Sequence, residues 1–404
     1  MNSSIAKKAG LMGLLLMIVA GLWAVDVTIT PPRLILTGVF DQLAAAGFTT
    51  DINTQMQELA DDFETQIMED ETITKYSKQP DLATAFANAG SAAAQLGTLK
   101  SAQDFKLFSV ALGTGMSFSV PEIDFFSELD SADFIEDEGD VYAGMAVHPF
   151  NLSAGLNLGF LVDGLRATVK FGYFSLAEGD MAEGMSFEAL SIGAGVSYML
   201  IKPKAIPLGI VRWRGVSVGS GIFYQRNTID MEITPDESGY RSAALTFADL
   251  GYTTSNSVLD GYGYGPSTEI GTITTTPTVT GTIESSTVTI PLAVSTGVRL
   301  LYVLDLSVGA GCDIVFGSSE IALKATQEVD FEVSQAMQSS VTVEQPGSAE
   351  LSNSTEESPQ IFRPHLMVAA GLSMGPVRLE VPFAYYFDSD GNTYVFGLTL
   401  GVVW

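Results

Sequence analysis

Only one cysteine, Cys312, occurs in 404 residues, so no intramolecular disulfide can form and stability has to come from pairing and packing. Histidine is nearly as scarce: His148 and His365 are the only two, and neither stands in a metal-ligand or triad spacing. Cations are outnumbered, 19 Lys and Arg against 47 Asp and Glu, and the formal charge of −28 argues against nucleic acid as a partner, because phosphate binding needs clustered Lys and Arg. Beyond residue 24 there is no run of about 18 apolar residues, which excludes ordinary membrane-spanning helices. From these absences no catalytic residue, no metal and no cofactor is expected, and the chain is not expected to be an enzyme.

What is present begins with an export signal. Lys7 and Lys8 supply a positive region and Leu11 to Leu22 an apolar one, so residues 1–24 read as a signal peptide cut after Ala24, with Gly21 as the alternative. From residue 105 the chain alternates with the period of two that a strand imposes. Phe108, Val110, Leu112, Met116, Phe118 and Val120 share one face, while Ser109, Gly113, Gly115, Ser117 and Ser119 take the other. Phe150, Leu152, Ala154 and Leu156 oppose Asn151, Ser153 and Gly155, and the Asp163-Gly164 pair that follows is a hairpin signal.

Charges on these segments keep to one face. Leu165, Ala167, Val169, Phe171 and Tyr173 alternate with Arg166, Thr168, Lys170 and Gly172. Arg or Lys at a bilayer midplane costs about 2–4 kcal/mol, so the charged face has to point away from lipid. The same rule turns Arg299, Asp305, Asp313, His365, Arg378 and Glu380 inward and makes them lumen-lining candidates, because charges lining a pore set its selectivity. The competing reading is that they pair with one another and fill a narrow lumen. Arg212 and Arg214 share the apolar register at a strand end, where they are expected to snorkel to the headgroups. Cys312 falls on an apolar face and is expected to act as a small hydrophobe. Tyr142, Tyr173, Phe174, Tyr224, Tyr385, Tyr386, Phe387 and Tyr394 lie near strand ends and fit interfacial girdles.

Ten strands emerge, joined alternately by short turns and longer polar loops, and an even count puts both barrel ends on the periplasmic side. Acidic residues 121–140, the Gly/Ser/Thr/Tyr-rich stretch 234–282 and polar residues 318–360 read as external loops, although Thr272 to Ile283 leaves room for another hairpin. Residues 25–104 do not alternate. Ile52, Met56, Leu59, Phe63 and Ile67 recur at helical spacing, and Leu82 and Phe86 open a second, Ala-rich helix after Pro80-Asp81. These residues are plug candidates: the segment is either a plug in the lumen, which the many inward Gly and Ser residues favour, or a periplasmic appendage.

The last strand names a class. Phe396, Leu398, Leu400, Val402 and the terminal Trp404 lie on one face, and this ending resembles the C-terminal assembly signal of bacterial outer-membrane β-barrels. The resemblance implies an all-β fold, a closed antiparallel transmembrane β-barrel of at least 10 strands and up to 12–14, spanning residues 105–404 in a Gram-negative-type outer membrane. It also implies outer-membrane lipids and the barrel-assembly machinery as partners. In architecture the chain is similar to the long-chain fatty-acid transporter type, which implies transport of a hydrophobic solute, but that type has fourteen strands and none of its ligand residues can be matched to positions here. The functional expectation is a porin-like channel or transporter for small solutes whose lumen the N-terminal helical segment occludes. The alternative is a surface interaction protein or adhesin that binds an external ligand through its acidic and Tyr/Gly/Ser-rich loops on an inert barrel. A secreted soluble sandwich is a third reading, in which the alternating faces would pack on each other.

Overall fold

A computed structural model describes residues 26–30, 32–45, 80–92, 96, 105–120, 144–177, 184–205, 210–233, 241–248, 257–389 and 391–404. The expected signal peptide, the helix built on Ile52, Met56, Leu59, Phe63 and Ile67, and the acidic stretch 121–140 lie outside these residues. In chain order the elements are β1 (Asp26–Thr30), β2 (Arg33–Leu36), α1 (Val39–Ala45), α2 (Pro80–Ala92), β3 (Phe108–Val120), β4 (Gly144–Asn157), β5 (Leu165–Leu176) and β6 (Met185–Ile201). They continue with β7 (Lys204–Ala205), β8 (Val211–Ile233), β9 (Arg241–Thr246), α3 (Ser257–Tyr262), β10 (Glu269–Leu300) and β11 (Leu304–Val333). The chain closes with β12 (Val341–Gln345), β13 (Gly347–Glu357), β14 (Phe362–Met374), β15 (Val377–Asp388) and β16 (Gly391–Val403).

Two compact units divide the chain. One comprises residues 80–230, 282–321 and 355–404. Its strands follow one another as β11-β14-β15-β16-β3-β4-β5-β6-β8-β10, and β10 pairs back onto β11, so the sheet closes as a ring of 10 strands. Closure joins the last strand to the first barrel strand: Tyr394 faces Phe118, Phe396 faces Met116 and Leu400 faces Leu112. This is a transmembrane β-barrel of the outer membrane. Its oily face is outside: Leu152, Val169, Phe171, Ile192, Val196, Leu398 and Leu400 are all about half exposed, whereas Ser153, Lys170, Ser191 and Thr399 between them are buried. Phe396, Leu398 and Leu400 of β16 and Trp404 just after it are exposed, and the Trp404 ring stacks on Phe108 at 4.5 Å across the seam.

Two local departures from strict alternation matter for the interior. Opposite Gly113 to Gly115 the β4 strand carries an extra residue, since Gly113 faces Asn151 and Gly115 faces His148. The bulge at Pro149 and Phe150 lets His148 and Asn151 both point inward. Gly215, at φ +81, makes a second irregularity in β8, and a Cβ there would lie 1.9 Å from the Ile201 carbonyl oxygen. It turns Arg214 inward, where the side chain is 3% exposed, correcting the expectation that Arg214 snorkels outward. Tyr386, expected in the outer girdle, shares the inward parity of Arg378 and Glu380 and is 2% exposed.

The other unit comprises residues 1–79, 231–281 and 322–354. Leu34, Val39, Phe40, Leu43, Phe247, Leu259, Ile270, Phe331, Met337 and Val341 form its core, each worth about 1.5–3 kcal/mol when fully buried. Here β1 pairs antiparallel with β13, β2 with β12, and β9 with the start of β10. Several expectations are corrected by this unit. Asp26–Thr30 and Arg33–Leu36 are strands rather than part of a helical segment. Residues 318–333 continue β11, and residues 269–283 belong to one 32-residue strand rather than a loop or an extra hairpin. A strand with no lipid to face needs no apolar outer face, so these polar strands carry no alternating apolar signature.

Candidate functional site

Strand parity sets the barrel interior. Arg166, Lys170, Asp305, Asp313, His365, Arg378 and Glu380 are buried, and Arg299 is nearly so, with a side chain 13% exposed. They fall into groups rather than one site. Asp305 binds two guanidinium groups: Arg299 donates from Nε at 2.8 Å to Oδ1 and from Nη2 at 3.2 Å to Oδ2, and Arg214 Nη2 lies 3.1 Å from Oδ1. The Ser373 hydroxyl also donates to Asp305 and accepts from Arg299 Nη2 at 3.0 Å. Arg378 donates to the carbonyls of Gly375 and Val377 at 2.6 and 3.2 Å and so fastens its own turn. Cation–π contacts hold Arg166 over Phe105 at 5.4 Å and Lys170 over Phe223 at 6.0 Å.

A second group ties the wall to helix α2. Arg363, fully buried, makes a bidentate pair with Asp388, Nε to Oδ1 at 2.8 Å and Nη2 to Oδ2 at 2.7 Å. Its Nη2 also reaches Thr393 Oγ1 at 2.9 Å, and its Nη1 donates to the Asn88 carbonyl at 2.6 Å and to the Ser91 hydroxyl. All five guanidinium N–H groups have an acceptor, and two of those acceptors belong to the helix. Beside it the Tyr386 hydroxyl lies 2.8 Å from the Ala92 carbonyl and 2.9 Å from Asp313 Oδ2, with His365 Nδ1 3.5 Å from Asp313 Oδ1.

The helix is held by close approach as well as by hydrogen bonds. A Cβ at Gly144 would lie 2.1 Å from the Ala85 carbonyl carbon, and one at Gly115 would lie 2.4 Å from Leu96. The small residues Ala83, Ala85, Ala87, Ala89 and Ala92 are therefore buried, while Leu82 and Phe86, the plug candidates on this helix, are only half-buried. Contact side chains come from β3, β10, β14 and β15, because Ser117 donates to the Ala89 carbonyl at 2.6 Å and Thr289 to the Ser91 carbonyl at 3.4 Å.

Ser117 also meets His148, whose Nε2 is 3.2 Å from Oγ, and His148 Nδ1 is 3.2 Å from Gln225 Nε2. The hydrogen-bond directions follow from the helix. Since Ser117 gives its only proton to a carbonyl, His148 donates from Nε2 to Ser117 and accepts at Nδ1 from Gln225, the reverse of a nucleophile–base pair. Sequence spacing alone gave no hint of this chain, since His148 reaches it through the Pro149 bulge. Arg363 was missed as well, although it shares the parity of His365 across Pro364. In the β6–β8 connection, outside the spanning segments, the hydrogen bond and charge of Asp163 raise the pKa of Lys202 above its ordinary value.

A sequence profile of the Lsa36-like family matches residues 27–404, nearly all of the described fold. The chain belongs to the Lsa36-like family. No curated protein matches its sequence. Solved structures similar to this Lsa36-like chain include the translocator domain of the autotransporter NalP from Neisseria meningitidis, at 10% identity, 79% coverage of this chain, 100% of that one and a TM-score of 0.28. The Ralstonia pickettii toluene transporter TbuX is similar at 9% identity, 80% and 99% coverage and a TM-score of 0.23. The Escherichia coli outer membrane protease OmpT is similar at 8% identity, 76% and 99% coverage and a TM-score of 0.28. That last finding corrects the expectation that the Lsa36-like chain is not an enzyme: a protease stands among the proteins of similar barrel fold, so the missing motif is no ground for the exclusion.

Proposed function

We propose that this outer-membrane barrel is a channel for small solutes whose lumen is occluded by α2. The observation that carries the reading is the set of wall side chains, Ser117, Thr289, Arg363 and Tyr386, that all donate to or contact the backbone of one helix. The interior groups around the helix are charged or hydroxylated, which favours hydrated ions and polar solutes over the hydrophobic solute implied by the fatty-acid transporter resemblance. Arg363 is the principal tie, because it joins the Asp388 carboxylate to two helix acceptors through a bidentate pair, whereas the Tyr386 hydroxyl beside Asp313 meets only one.

Replacing it tests the reading. Arg363→Met keeps the volume and removes both helix contacts, so reconstituted protein should pass from rare openings to sustained ion conductance, at least tenfold greater in time-averaged current than wild type in planar bilayers. Heat-modifiable migration checks that the variant barrel is intact. An intact Arg363→Met barrel as silent as wild type would contradict an occluding helix.

A second reading, a surface interaction protein, is favoured by the independent core of the other unit, in which Phe40, Phe247, Tyr264 and Tyr262 stack in series at 5.8, 6.2 and 6.1 Å. An inert anchor would need no such core. Binding of an external ligand that survives when the barrel is silent in bilayers would favour this reading.

A further inference from the structure

The first described strands of the chain have their partners in an unexpected place. β1 pairs with β13, Val27 facing Leu351 and Ile29 facing Ala349, and β2 pairs with β12, Ile35 facing Thr342. Both partners lie in the connection from β11 to β14. At their other ends β11 and β14 meet short turns, Leu301-Tyr302 and Gly375-Pro376, and short turns mark the periplasmic side of such barrels. The β11–β14 connection, and whatever pairs with it, therefore belongs to the external side.

The first barrel strand starts on the opposite side. Phe108 accepts a hydrogen bond from the Trp404 amide at 3.0 Å, and both residues are at the short-turn end. Between β2 and β3 the chain runs through α2, whose carbonyls accept hydrogen bonds from inward side chains of β3, β10, β14 and β15. An exported chain whose N-terminus begins in the periplasm has one route that meets these three facts.

We propose that the barrel carries its own N-terminal segment as cargo: the residues preceding α2 cross the outer membrane through the lumen and are displayed outside, with α2 left in the passage. Charge agrees with the route. Between Asp26 and Lys78 the cargo has only Arg33, Lys75 and Lys78 against many acids, including Asp61, Asp62 and Glu64. The interior groups named above are Arg166, Lys170, Arg214, Arg299, Arg363 and Arg378 against Asp305, Asp313, Glu380 and Asp388, so cations outnumber carboxylates along the way even after the Arg214, Arg299 and Arg363 pairs are counted. This inference goes beyond solute passage and does not require the open channel to conduct.

Membrane-impermeant maleimide labelling of intact Gram-negative cells tests it, in a Cys312→Ala background. Thr28→Cys and, as a second site, Arg33→Cys should label at least tenfold more strongly than Val162→Cys in the periplasmic turn, and as strongly as Ser339→Cys at an exposed position of the external connection. Arg33 is 66% exposed and its pair with Glu344 lies at the surface, so its replacement leaves the fold intact. Labelling of Thr28→Cys and Arg33→Cys only after permeabilisation, with Ser339→Cys labelled throughout, would overturn the proposal.

Discussion

At the scale of single residues the interior charges are settled by parity and by partners, and the two arguments have different reach. Parity alone turned Arg166, Lys170, Asp305, Asp313, His365, Arg378 and Glu380 inward, because the penalty for a charge in lipid leaves no other face. Partners were not legible, since Asp305 meets Arg214 only after Gly215 breaks the β8 alternation. The structure makes Asp305, at 1% exposure, the shared carboxylate of two guanidinium groups, hydrogen-bonded to Arg299 and ion-paired with Arg214. Asp305→Ala leaves both cations buried without that carboxylate and should destabilise the folded barrel by about 3–5 kcal/mol. Equilibrium urea unfolding in detergent micelles or thin bilayers measures it, and a loss under about 1 kcal/mol would remove Asp305 from the centre of the group. Arg166→Ala, which gives up a cation–π contact, should cost less than Asp305→Ala.

Elements show where strand physics differs inside and outside lipid. β3, β5, β15 and β16, of 12 or 13 residues, exceed by only a residue or two the roughly 9–11 that a tilted spanning strand needs, and their alternation is clean because both faces are constrained. β8, β10 and β11, of 23, 32 and 30 residues, run far past that length. Their excess residues obey only pairing, so Glu328, Asp330 and Glu332 read as loop although they alternate with the buried side of β11. The hairpin between β10 and β11 carries another readable tension. Its two central residues, Leu301 and Tyr302, adopt φ of +50 and +66, and Val303 donates back to Leu300 at 3.1 Å. That backbone suits Asn-Gly, since left-handed conformations cost other residues about 1–2 kcal/mol each. Replacing the pair, Leu301→Asn with Tyr302→Gly, should raise the urea midpoint by an amount equal to about 1–2 kcal/mol; a lowered midpoint would mean that the exposed Leu301 and Tyr302 side chains contribute more in the interface than the turn costs.

For the whole molecule, the terminal Trp404, the alternating faces and the short-long rhythm of connections led to a ten-stranded closed barrel, and ten strands form the ring. What the rhythm hid was a second unit made from pieces distant in sequence, because a core such as Leu43, Phe247, Ile270 and Met337 leaves no periodic trace across three segments. The N-terminal strands could not be placed either, since their partners lie more than 300 residues away. All of this depends on the barrel's outer face meeting hydrocarbon, and nitroxide scanning of β5 in lipid bilayers measures that contact directly. Accessibility to dissolved oxygen should rise at positions 167, 169, 171 and 173 and fall at 166, 168, 170 and 172, with a period of two residues. A profile in which Val169, Phe171 and Tyr173 are shielded from oxygen like Lys170 would contradict the account.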